Sequence, residues 1–107
     1  MEQLNLQPEP RRWLENSVLQ PFTARYIAHL THGRYSVHTS RVYLCCIAHF
    51  SRWVSHEQLV LEEIDEAVRT RFITEHLSAC DCPYPVRRVP HEHRAAISHL
   101  LDVLRAE

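Results

Sequence analysis

The sequence predicts an all-α fold, a compact bundle of four amphipathic helices, and three observations carry that prediction. Apolar residues recur at helical rather than strand spacing in four separate segments. The chain has a single glycine, whereas a sheet domain of this size needs several tight turns. The residues between the periodic segments are those that cap or stop helices: Asn16, Ser17, Gly33, Ser36, Asp65 and a proline cluster ending at Pro90. At 107 residues the chain is one domain with one core and little to spare.

Residues 1–15 are polar and contain Pro8 and Pro10, so a flexible tail is expected there, with Trp13 as its docking residue. The domain proper is expected over 16–107. A first helix is predicted from about 18 to 32, capped by Asn16 or Ser17, with Pro21 in its first turn and Phe22, Tyr26, Ile27 and Leu30 on one face. Gly33 ends it. Ser36 caps a second helix to about Ser55, on which Tyr43, Ile47, Phe50 and Val54 form an apolar stripe flanked by Cys46 and Trp53. Core packing is the expected role of Phe50 and Trp53. A connector with Leu59, Leu61 and Ile64 turned inward leads to a third helix, capped by Asp65, whose apolar face is Val68, Phe72, Ile73 and Leu77. The prolines between Cys80 and Pro90 exclude regular helix. A last helix, from about His91 to Arg105, presents Ala96, Ile97, Leu100, Leu101 and Leu104 at 3.6-residue periodicity.

Charge is segregated along this frame. The formal net charge is −1, yet between Asn16 and His56 the chain carries Arg25, Arg34, Arg41, Arg52 and five histidines with no Asp or Glu. Such segregation suits an anionic partner, nucleic acid above all. Arg34, His38, Thr39 and Arg41 surround a predicted helix start, where backbone N–H groups already favour phosphate. Arg87, Arg88 and Arg94 give the last helix a similar opening, and the two are expected to lie side by side as a clamp. Every basic residue is Arg, which suits phosphate recognition, although an arginine-biased genome would give the same count. As pH falls, the nine histidines are expected to strengthen binding by gaining charge.

Other chemistry is less well supplied. Cys80, Cys82, His91 and His93 are four possible zinc ligands, but a one-residue spacer between cysteines, with Pro83 beside it, fits structural zinc poorly. No metal or cofactor is therefore expected, with a zinc-stabilised regulator as a third functional reading. Cys45 and Cys46 are expected to be buried in a helix as reduced thiols. No Gly-rich phosphate loop exists, and nothing sets a nucleophile beside an oriented base, so the chain is not expected to be an enzyme. No apolar run approaches the roughly 20 residues of a membrane span.

The succession Tyr26, Leu30, Gly33-Arg34-Tyr35-Ser36, Thr39, Tyr43, Ile47, Phe50 and Trp53, then Ile64-Asp65, Val68, Phe72-Ile73 and His76-Leu77, resembles the amino-terminal core-binding domain of tyrosine recombinases, the phage-integrase family. Cys80-Asp81-Cys82-Pro83, Arg94-Ala95-Ala96-Ile97, His99-Leu100-Leu101 and Leu104-Arg105 resemble a subgroup associated with mobile elements. The resemblance spans roughly residues 20–105. It implies a SAM-like orthogonal four-helix bundle whose second and fourth helices lie on duplex DNA, with Thr39, Arg41 and Arg94 as contacts. Arg34, His38, Arg87 and Arg88 join them on charge and placement. It also implies that strand exchange belongs to a separate carboxy-terminal catalytic domain, since Tyr26, Tyr35, Tyr43 and Tyr84 sit outside any nucleophile motif. The expected partners are double-stranded DNA, that catalytic domain and neighbouring recombinase protomers, with no membrane. The expected location is the cytoplasm of a bacterial or mobile-element host, on the nucleoid when bound. The alternative is a helical interaction or oligomerisation module without DNA affinity.

Overall fold

A computed structural model describes residues 6–82 and 88–106. Among them there is no strand, and five α-helices occur in order: α1 (Pro8–Glu15), α2 (Thr23–His32), α3 (Val37–His56), α4 (Glu66–Arg71) and α5 (Pro90–Arg105). None is long and apolar enough to cross a membrane.

The expected tail is instead part of the fold from Pro8 onward. Proline in the first turn starts α1 at no cost in hydrogen bonds, and its face of Pro10, Trp13 and Leu14 is buried against α3. The Arg52 guanidinium covers the Trp13 ring at 5.2 Å, which seals the contact from outside. Aromatic burial offsets the cost of ordering so short a helix.

The second helix begins later than predicted. Ser17 accepts from the Leu19 N–H and donates to the Leu14 carbonyl, so it shapes a turn rather than a helix start. Pro21 then lies in a 3₁₀ turn, Gln20–Phe22, and α2 starts at Thr23. Tyr26 and Leu30 enter the core as predicted, and the Tyr26 hydroxyl donates to the Ala96 carbonyl at 2.9 Å. That bond fixes α2 on α5, and burial raises the Tyr26 pKa well above its ordinary value.

Helix α3 is the central element. Ser36 caps it, accepting from the Thr39 N–H at 3.0 Å, and Ile47, Phe50, Trp53 and Val54 are buried. Cys46 is buried as expected, whereas Cys45 is only half-buried. Phe50 meets Phe72 edge to face at 5.2 Å, joining α3 to the segment after α4. Asp65 caps α4 through the Val68 N–H at 3.0 Å. After Arg71 the predicted α-helix widens into a π-helical turn, Phe72–Leu77. This register stacks His76 on Phe72, with ring centroids 5.3 Å apart. Such turns recur where side chains are re-aimed.

Helix α5 packs along α3 with Ala96, Ile97, Leu100 and Leu101 inward. Tyr43 meets His99, and six residues further along α3 His49 meets His93, six residues back along α5. The two helices therefore run antiparallel.

Candidate nucleic-acid interface and histidine clusters

The junction of α2 and α3 ends one helix and starts the next within four residues. Gly33 is not the residue that leaves helical space. It has an ordinary negative φ of −76°, and Arg34 takes the left-handed conformation at φ 66°. Arg34 N–H donates to Thr31 O at 3.0 Å and Tyr35 N–H to Leu30 O at 3.2 Å, the paired bonds of a Schellman stop. Gly33 is needed for space: a Cβ there would lie 3.2 Å from Tyr35 Cε2. The freed ring packs on Tyr43 and His99, and its hydroxyl lies 3.0 Å from His99 Nε2.

Arg34, His38 and Arg41 are exposed around this junction, while Thr39 is half-buried and bonded to Ser36 through its hydroxyl. No acidic residue occupies the first turn of α3. A left-handed arginine costs roughly 1–2 kcal/mol relative to glycine. Strain of this kind clusters at functional positions.

The second basic opening lies elsewhere. Antiparallel packing sets Pro90 opposite Arg52, so the first turns of α3 and α5 lie about 22 Å apart along the pair at ~1.5 Å per residue. The expected side-by-side clamp is therefore not formed. Arg88 and Arg94 are exposed around the start of α5, where Glu92 adds an acid to the first turn. Arg87 falls outside the described residues.

Two histidine clusters were not foreseen. In the first, His29 Nε2 lies 3.0 Å from His99 Nδ1, behind the Tyr35 hydroxyl and near Asp102. Burial, then the neighbouring His29, lowers the His99 pKa, with Asp102 opposing. In the second, His49 Nε2 and His76 Nε2 approach to 3.3 Å, Cys80 Sγ lies 3.6 Å from His49 Nε2, and Cys82 Sγ lies 3.5 Å from His76 Nε2. All four ligand-type atoms fall within 4.8 Å of one another. The cysteines are those considered for zinc; the histidines are not. His91 is exposed, and His93 is turned to the Val89 carbonyl at 2.9 Å.

Burial and charge act unevenly on the groups of the second cluster. Burial, then Arg52, lowers the His76 pKa. Burial pushes Cys80 up, but the Cys82 backbone N–H and the Arg88 guanidinium outweigh it and hold the thiol below its usual value. For Cys82 burial wins over the opposing Arg52 and raises it. Because His76 and His99 are held below their usual pKa, these two histidines are not the charge reserve that a simple count suggests. His32, His38, His56 and His91 are exposed.

No family model, curated protein or solved structure matches this chain.

Proposed function

We propose that this chain is a DNA-binding helical domain of the tyrosine-recombinase core-binding kind, with a SAM-like arrangement, and that it holds duplex DNA while a separate catalytic domain performs strand exchange. The observation that carries the reading is the α2–α3 junction: an exposed, left-handed Arg34 leads into a Ser36-capped helix whose first turn has His38 and no acid. Exposed backbone donors, guanidinium groups and hydroxyls are the groups that bind phosphate. Arg34, His38, Thr39 and Arg41 form the principal station. Arg88 and Arg94 form a second around the start of α5, with Arg94 about 10 Å along the helix pair from Arg41 at ~1.5 Å per residue, and Arg87 belongs with them by sequence. Two separated stations suit a duplex held across a groove better than a clamp on one phosphate run. The chain itself performs no chemistry, and its protein partners are the catalytic domain and neighbouring protomers.

A second reading is favoured by the same place. Tyr35 and Val37 are 39% and 45% exposed there, an apolar edge suited to protein contact.

Titrating a labelled duplex at several salt concentrations decides between them. With Arg34, Arg41, Arg88 and Arg94 each on a phosphate, the log–log slope is about −3.6 at ~0.9 per contact, and each Arg→Ala removes about 0.9 of it. No binding at low salt, or a slope unchanged in the Arg34→Ala, Arg41→Ala double variant, overturns the DNA reading. A stable dimer in sedimentation without duplex affinity establishes the interaction module instead.

A further inference from the structure

We propose that His49, His76, Cys80 and Cys82 are the four ligands of one structural zinc ion, held tetrahedrally between α3 and the segment that runs from the π-helical turn to Cys82. The site goes beyond the DNA reading and does not depend on it.

The spacing of the ligand atoms is the first reason. With Zn–N near 2.0–2.1 Å and Zn–S near 2.3 Å, a tetrahedral ion separates its ligands by about 3.3–3.4 Å between nitrogens and about 3.5–3.6 Å between nitrogen and sulfur. The observed separations are 3.3 Å for His49–His76, 3.6 Å for Cys80–His49 and 3.5 Å for Cys82–His76. All three edges fit one ion at once.

Hydrogen bonds alone do not account for the arrangement. Each Nε2 carries either one proton or one lone pair, yet each faces two partners, the other imidazole and a sulfur. If the thiols donate to the two nitrogens, the nitrogens face one another across 3.3 Å with lone pairs occupied and nothing between them. A cation at the centre gives all four lone pairs one common target.

The chemistry selects the metal. Two thiolates and two neutral imidazoles balance the charge of Zn²⁺, and a tetrahedral S₂N₂ set with four protein ligands and no open position is that of structural zinc. The Arg88 guanidinium donates to the Cys82 carbonyl at 3.2 Å and so helps to hold the segment that carries the two cysteines. Phe72, stacked on His76 and edge-on to His49, holds both rings in place. Cys-x-Cys spacing is an obstacle when two chelating pairs must close the site from one loop. Here a helix 27 residues upstream of His76 supplies the fourth ligand.

The test uses the intact 107-residue chain, purified reduced and without a metal-affinity tag. Elemental analysis is expected to give one zinc per chain. Cobalt(II) added to the apo-protein is expected to give the ligand-field band of a tetrahedral site with thiolate-to-metal charge transfer, displaced by zinc. Chelation should lower the Tm, and zinc should restore it. Cys80→Ser, Cys82→Ser and His76→Gln should each lose the stoichiometric metal, whereas His91→Gln keeps it. Because a ligand variant can fail to fold, the wild-type cobalt spectrum is decisive on its own. A spectrum without thiolate charge transfer, less than stoichiometric zinc, or a Tm indifferent to chelator overturns the site and leaves a hydrogen-bonded cluster.

Discussion

Replacing Arg34 by glycine should stabilise this protein, although Arg34 is the residue placed at the centre of the proposed DNA contact. Arg34 sits at φ 66°, where an L side chain costs roughly 1–2 kcal/mol. Glycine removes that cost but returns about 0.5–1 kcal/mol through its greater freedom in the unfolded chain. The net gain lies between about 0 and 1.5 kcal/mol, and its middle value of about 0.75 kcal/mol is a rise in Tm of about 3–6 °C for a domain of this size. Gly33→Ala should act oppositely. Its φ of −76° suits alanine, but the new Cβ meets the Tyr35 ring at 3.2 Å, and that ring is held by its bond to His99 and its contact with Tyr43. Thermal unfolding followed by circular dichroism, at fixed pH and metal loading, measures both. A Tm that rises in Gly33→Ala and falls in Arg34→Gly would show that the helix stop lies at Gly33 after all. Duplex titration of Arg34→Gly separates the two roles of the residue, because a more stable protein should then bind DNA more weakly.

Three further outcomes are expected. Phe50→Ala, which empties a fully buried site against Trp53 and Phe72, should cost about 3–5 kcal/mol in denaturant unfolding. Ser36→Ala and Asp65→Ala each remove a cap and should each cost about 1 kcal/mol by the same measurement. His99 is held below its unfolded pKa of about 6.5 by burial and by His29, so the unfolded chain takes up its proton first. Its contribution to stability is therefore whole above about pH 6.5 and is lost as pH falls from there through the lower folded value. Unfolding midpoints measured across that window should decline less steeply in His99→Gln; an identical decline would remove His99 as the cause.

Much of the helical frame was legible because its signals are local. Ser36 and Asp65 cap the helices predicted for them, and Tyr26, Leu30, Phe50, Val68 and Leu100 face the core that their spacing demands. The failures occurred where a contact partner decided the outcome. Pro8–Glu15 looked like a tail because its apolar content is small, but α3 offered Trp13 a face. Gly33 looked like the helix stop because glycine usually is one; the Tyr35 ring needed the space, and Arg34 took the strain.

From sequence alone came an all-helical chain, a core made of periodic apolar faces, and a basic stretch without acids ending at His56. Periodicity and capping act over a few residues, so a linear reading reaches them. Tertiary structure alone decided that α3 and α5 run antiparallel, which moved the two basic openings apart. It also decided that His49 and His76, rather than His91 and His93, meet Cys80 and Cys82. Which side chains converge depends on helix register and on the π-helical turn before Ser78. Both are set by packing between segments that are remote along the chain.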